Sequence, residues 1–119
     1  MPLIQIDLDR DLFDSHGDRL SDAVHQAQLD ALDIPADDRF QVFTPHGAGE
    51  LRFDADYNGV DRQRLVLVRV TMVHMYSVAT KQRLFRAIVE RFGEAGVRPE
   101  DVLIAVVENG FEDWYAGRL

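Results

Sequence analysis

The 119-residue sequence contains no cysteine. That excludes disulfides, thiolate catalysis and sulfur-ligated zinc. No apolar run approaches the ~18 residues that a membrane-crossing helix needs. Basic residues are also scarce, 13 against 21 acidic ones, which gives a net charge of −8. An acidic surface argues against nucleic acid or an anionic membrane as partner, yet it leaves room for a small cationic pocket that takes an acid substrate. The four histidines, His16, His25, His46 and His74, show no compact ligand spacing such as His-Glu-x-x-His, so no metal is expected. No leader is expected ahead of Pro2, and the cytoplasm is the expected compartment. What is present is a 46% hydrophobic composition in a length that suits one domain, 1–119.

Leu3, Ile4, Ile6 and Leu8, with Gln5 and Asp7 between them, predict a strand with one face more buried than the other. Residues 9–17 read as a charged turn. Ser15-x-x-Asp18 reads as a capping box opening a helix. Its apolar face is Leu20, Ala23, Val24, Ala27, Ala31 and Leu32, and Ile34-Pro35 stops it. A short strand is expected over 40–43. Residues 45–64, rich in Gly and Asp, read as a linker with a brief hairpin around Leu51 to Phe53.

The stretch 65–73 is the longest apolar one, and its β-branched content predicts a central strand. Ser77 is the expected N-cap of a second helix, whose core face is Leu84, Phe85, Ile88, Val89 and Phe92. Gly96 and Pro99 end that helix, and 102–107 reads as a last strand.

Strand, helix, strand thus occurs twice, at a constant offset of 64. The offset pairs Leu3 with Leu67, Ile6 with Val70, Leu20 with Leu84, Val24 with Ile88, Pro35 with Pro99, Asp37 with Asp101 and Val42 with Val106. The expected fold class is α/β, a two-layer α+β sandwich. Two fused β-α-β units, about 2–44 and 65–108, place their helices on one face of a mainly four-stranded sheet. Each helix is a right-handed crossover between parallel strands. The other sheet face remains apolar, and a symmetric oligomer would cover it.

Met1-Pro2 heads the first strand. With Met1 removed, the Pro2 nitrogen is a free secondary amine, a candidate base or nucleophile whose proton affinity falls in low-dielectric surroundings. Asp38, at the mouth of the neighbouring strand, would oppose that fall. Read alone, Asp37-Asp38-Arg39 is better taken as a turn with a surface ion pair.

A fused pair of β-α-β units with Pro directly after Met resembles the tautomerase superfamily, most closely the malonate semialdehyde decarboxylase-like group. The matching residues are Met1-Pro2-Leu3, the run from Pro35 through Asp38-Arg39-Phe40-Gln41, His46 with Gly49-Glu50, Pro99-Glu100-Asp101-Val102, Val107-Glu108-Asn109 and Asp113-Trp114. The resemblance covers nearly the whole chain. It implies a homotrimer acting on a small-molecule substrate, with no cofactor and no metal. It also implies Pro2 as the catalytic group, Asp38 as its partner and Trp114 as an aromatic wall of the pocket.

The group's pattern puts two arginines, separated by one residue, ahead of the second helix to bind a substrate carboxylate. Here those positions are His74 and Tyr76. Neither is a guanidinium fork, although a protonated His74 can bind a carboxylate and Tyr76 can donate one hydrogen bond. His74 also reads as a partly exposed strand-end residue, and Trp114 as interface packing. The departure favours a cofactor-independent tautomerase acting on a keto–enol acid. The alternatives are decarboxylation or hydration of a short oxo or unsaturated acid, with Arg39, Arg69 or Lys81 as substitute cation, and a trimeric non-catalytic binding or scaffold protein.

Overall fold

Leu3–Asp9 forms strand β1 in a computed structural model that describes residues 2–119; Met1 lies outside the described residues. Ile4, Ile6 and Leu8 are buried, while Leu3, Gln5 and Asp7 are only partly so, as period-two alternation requires. Helix α1, Arg10–Ala31, follows without a connecting turn. The turn expected over 9–17 is therefore helical, and Ser15 does not cap it. The Ser15 hydroxyl instead donates back to the Asp11 carbonyl at 2.8 Å. The upstream extension has a packing cause. Leu12 is buried more than two turns before Leu20, and the Phe13 ring lies 5.5 Å from that of Phe43. Burial of these side chains outweighs the turn preference of the polar residues around them.

Strand β2 is Gln41–His46, starting one residue later and ending three later than expected. No strand lies between it and β3 among the described residues, so the expected hairpin around Leu51 to Phe53 is not formed. Side-chain bonds order the segment instead. The Arg62 guanidinium donates to the Asp54 carbonyl at 3.0 Å, and Asp101 accepts the backbone N–H groups of Gln63 at 2.8 Å and Arg64 at 3.1 Å.

Strand β3, Val66–Val73, leads through Ser77 into helix α2, Val78–Glu94. The Ser77 hydroxyl accepts the Thr80 N–H at 3.1 Å, the expected N-cap. Leu84, Ile88 and Phe92 are fully buried, whereas Phe85 and Val89, expected on the same core face, are only half-buried and stand outside the core cluster. The helix ends where Gly96 takes a φ of +97° and the Val97 N–H reaches back to the Phe92 carbonyl at 2.9 Å. This is a Schellman closure at the glycine the sequence supplies. Strand β4 is Val102–Asn109.

The sheet order is β2-β1-β3-β4. β1 pairs β2 and β3 pairs β4 in parallel, and the two units meet through an antiparallel β1–β3 pair. In that pair Gln5 faces Arg69, two residues 64 apart, so the pseudo-twofold axis of the repeat passes through this rung. The offset does not hold to the end. Ile4 pairs Gln41 whereas Val68 pairs Ile104, which makes the second strands correspond at an offset of 63. The expected equivalence of Val42 with Val106 is corrected by this. Val42 lies on the exposed face and matches Ala105, while Phe43 matches Val106 against the core. One residue fewer follows the core face of α2 than follows that of α1, and a one-residue change moves every side chain of a strand to the other face.

Both helices cover the face that carries Ile4, Ile6, Val68 and Val70. On the opposite face Val42, Leu103 and Val107 remain close to half exposed. Among the described residues no helix is long and apolar enough to cross a membrane.

Phe92 is the largest fully buried side chain and packs between helix and sheet. Phe92→Ala is expected to cost about 3–5 kcal/mol of unfolding free energy, read as a lower denaturant midpoint at unchanged slope.

Candidate active site

The antiparallel β1–β3 pair decides what surrounds Pro2. β1 begins where β3 ends, and β4 ends beside β3, so the head of β1 lies at the same end of the sheet as His74, Tyr76, Glu108 and Asn109. Continuing the register by one rung sets Pro2 opposite Met72, which itself pairs Glu108. Pro2, Met72 and Glu108 thus share one row, and all three have the parity of the helix-covered face. Pro2 is buried.

On the other side of β1 runs the approach to β2, whose Phe40 carbonyl accepts the Ile4 N–H at 3.0 Å. Asp38 sits two residues before this point, in a turn closed by its own N–H to the Pro35 carbonyl at 3.0 Å. The sheet thus brings Asp38 to the end that carries Pro2. Tyr76 is drawn to the same place. It packs partly against the core, and its phenol is pushed above its ordinary value by burial first, then by the negative charges of Asp38 and Asp33.

His74 stands apart from Tyr76. Its imidazole is 80% exposed, and Nδ1 lies 2.8 Å from a Glu108 carboxylate oxygen. The other Glu108 oxygen accepts from Lys81 Nζ at 2.7 Å. Lys81 first and His74 second hold the Glu108 carboxyl below the usual carboxylate range, so it remains ionised. The His74 N–H donates to the Asn109 carbonyl at 2.7 Å, prolonging the β3–β4 ladder beyond the strand.

Trp114 is half-buried, and its indole N–H donates to the Asn109 side-chain oxygen at 2.9 Å. That bond fastens the turn Phe111–Asp113 to the end of β4. The indole is thus tied to β4 rather than to Tyr76 or His74.

Of the substitute cations considered from sequence, Arg69 is exposed at the central rung opposite Gln5, away from the row that holds Pro2. Arg39 is drawn to α1, where it pairs Asp22 at 3.1 Å. Of the three, Lys81 is the one in the cluster at the Pro2 end. Sequence reasoning gave Glu108 no role of its own. The available signal was a carboxylate closing an apolar alternation at the end of a strand, with a lysine in the first turns of the helix that covers it. Among the described residues no group of three His, Asp or Glu side chains could hold a metal ion.

A buried proline, a carboxylate on the turn that leads to the neighbouring strand, a half-buried phenol and a carboxylate-linked pair of nitrogen bases lie at one end of the sheet, a set of groups able to move a proton on a small polar substrate. The comparisons with known proteins agree in kind. Residues 38–117 match the family model described as tautomerase enzyme. The chain is 34% identical over 119 residues to Probable tautomerase YusQ of Bacillus subtilis (strain 168), spanning 98% of this chain and 94% of that one. It superposes on FG41 malonate semialdehyde decarboxylase inhibited by 3-bromopropiolate with a TM-score of 0.91 at 38% identity, covering 97% of this chain and 88% of the other. A second malonate semialdehyde decarboxylase, solved in wild-type, mutant and inactivated forms as a structural basis for decarboxylase and hydratase activities, gives 0.90 at 32%, covering 98% and 91%.

The position of Tyr76 yields a measurable consequence. Spectrophotometric titration of the protein against Tyr76→Phe should place this phenol above its ordinary 10.0. Asp38→Asn should lower that midpoint only in part, because burial is the larger cause.

Proposed function

This chain belongs to the tautomerase family of enzymes, and we propose that it interconverts the keto and enol forms of a small keto acid through the nitrogen of Pro2. The observation that carries this reading is the burial of Pro2 at the head of β1, with Asp38 in the turn alongside. Burial disfavours a protonated amine and a neighbouring carboxylate favours it. A nitrogen held between these two influences can accept and return a proton, which is what general base catalysis requires.

In the ketonising direction Pro2 takes the enol proton and returns one to the adjacent carbon, so atoms and charges balance without a cofactor. Asp38 partners the amine throughout. His74, Tyr76 and Trp114 bind the substrate: His74 through its exposed imidazole toward the carboxylate, Tyr76 as a hydrogen-bond donor whose phenol stays protonated, Trp114 as a wall. All of this depends on removal of Met1, since with Met1 in place the Pro2 nitrogen is an amide without a basic lone pair.

The same reading includes a homotrimer. The supporting observation is the sheet face left with Val42, Leu103 and Val107 near half exposure, which a sheet-to-sheet assembly would bury. A second reaction, decarboxylation or hydration of a short oxo or unsaturated acid, is favoured by the 38% identity to FG41 malonate semialdehyde decarboxylase. It is also favoured by the placement of Lys81 in the site cluster.

Met-free protein, verified by mass spectrometry, should ketonise phenylpyruvate enol above the buffer rate. Pro2→Ala should lose about 10²-fold or more of that acceleration, the span of a general base. Activity no greater than buffer in the Met-free protein would overturn the proposal.

A further inference from the structure

We propose that His25 is a positioning residue: from helix α1 its imidazole holds the turn that carries Asp38, and so keeps that carboxylate at the Pro2 end of the sheet. The inference rests on the reading of Asp38 as the partner of Pro2, and it adds the residue on which that partnership depends.

The turn has little packing of its own. Pro35, Ala36 and Asp37 are exposed, and before them Ile34 packs against the core. Asp38 is half-buried, and fixing its carboxylate requires a hold on the backbone beside it. The bond from the Asp38 N–H to the Pro35 carbonyl closes the turn on itself without attaching it to another element. Attachment comes from α1, on both sides of Asp38. Ahead of it, His25 Nε2 lies 2.7 Å from the Ala36 carbonyl oxygen. Behind it, the Arg39 guanidinium donates to the Asp22 carboxylate at 3.1 Å. Asp22 and His25 are separated by one helical turn and so stand on one face of α1.

The two holds are unequal. Arg39 and Asp22 are both exposed, and an exposed ion pair contributes little. His25 is 6% exposed, and a hydrogen bond shielded from water is electrostatically stronger. A carbonyl oxygen can only accept, so His25 Nε2 carries a proton. Nδ1 is also buried and has no hydrogen-bond partner among the described residues. A bare buried nitrogen is a cost that an apolar side chain on this helix face would not carry. What offsets it is the bond from Nε2, and that bond goes to the backbone two residues ahead of Asp38. The hold also reaches Tyr76. Its phenol is raised by burial first, then by Asp38 and Asp33, the two carboxylates that flank the anchored Ala36.

The test compares His25→Phe, which keeps a ring without a donor, with His25→Gln, whose amide N–H can reach the same carbonyl. Spectrophotometric titration of Tyr76 reads the position of Asp38 without any turnover. His25→Phe should lower the Tyr76 midpoint, in the direction that Asp38→Asn lowers it, and His25→Gln should return it toward that of the unaltered protein. With phenylpyruvate enol and Met-free protein, His25→Phe should lower kcat about three- to tenfold at little-changed KM, the factor carried by one hydrogen bond. His25→Gln should recover most of that loss. In an Asp38→Asn background His25→Phe should change kcat by less than about twofold, because it acts through a group already removed. A Tyr76 midpoint unmoved by His25→Phe, or equal kcat losses in both backgrounds, would overturn the proposal and leave His25 a packing residue. If His25→Phe does not fold, nitrogen-15 spectra of the unaltered protein decide: a proton on His25 Nε2 supports the bond, and a proton on Nδ1 alone overturns it. A midpoint that moves in Met-free protein without turnover removes the Pro2 reading and retains His25 as the residue that places Asp38.

Discussion

The antiparallel pairing of β1 with β3 is the constraint on which the rest depends. It sets Gln5 against Arg69 at the pseudo-twofold axis and so brings the start of one unit to the end of the other. Without it, Pro2 would head an isolated β-α-β unit with no strand ends beside it. With it, the head of β1 meets the tails of β3 and β4, where backbone pairing stops and side chains are free to line a pocket. A slip of one residue would turn Ile4, Ile6 and Leu8 away from the core. The same burial that fixes the register therefore fixes which side chains stand near Pro2.

The electrostatics of that end run against the chain as a whole. A protein with a net charge of −8 repels anionic ligands at long range. Lys81 supplies local compensation, and Glu108 holds it near the row that carries Pro2. Asp38 and Asp33 act in the opposite sense on Tyr76, keeping its phenol a donor. Two oppositely biased neighbourhoods across a single sheet end give the site a direction.

Much of this was legible in the sequence because it followed from local rules. The strand around Ile4, the Ser77 cap and the Gly96 stop each depend on a few neighbouring residues, and each stands where expected. The start of α1 was not legible, since its first turns are held by Leu12 and by Phe13 against Phe43, a contact made about thirty residues away along the chain. The change of offset from 64 to 63 was hidden for a related reason. Val42 and Val106 look equivalent as letters, and only strand register shows that they face opposite sides. At the site, Asp38, His74, Tyr76 and Trp114 were nameable only through the family resemblance, not from local rules. Glu108 was not given a role, because its meaning comes from two partners that lie 27 and 34 residues away.

The duplication also bears on why chemistry should be sought at one end of the sheet and not at both. Through the pseudo-twofold axis Pro2 corresponds to Val66, and with the shortened offset Asp38 corresponds to Asp101. A cleft does occur at this second place, between Asp9, Leu12, Arg64, Gly96, Arg98 and Asp101. Yet there the chain passes through Leu65 into Arg64, so the nitrogen at the head of β3 is a peptide. Asp101 is buried and spends its carboxylate on the N–H groups of Gln63 and Arg64, fastening the linker. The same position in the same fold is thus a brace at one end and a candidate catalytic partner at the other. What separates them is the secondary amine that only the Pro2 end can offer, once Met1 is removed.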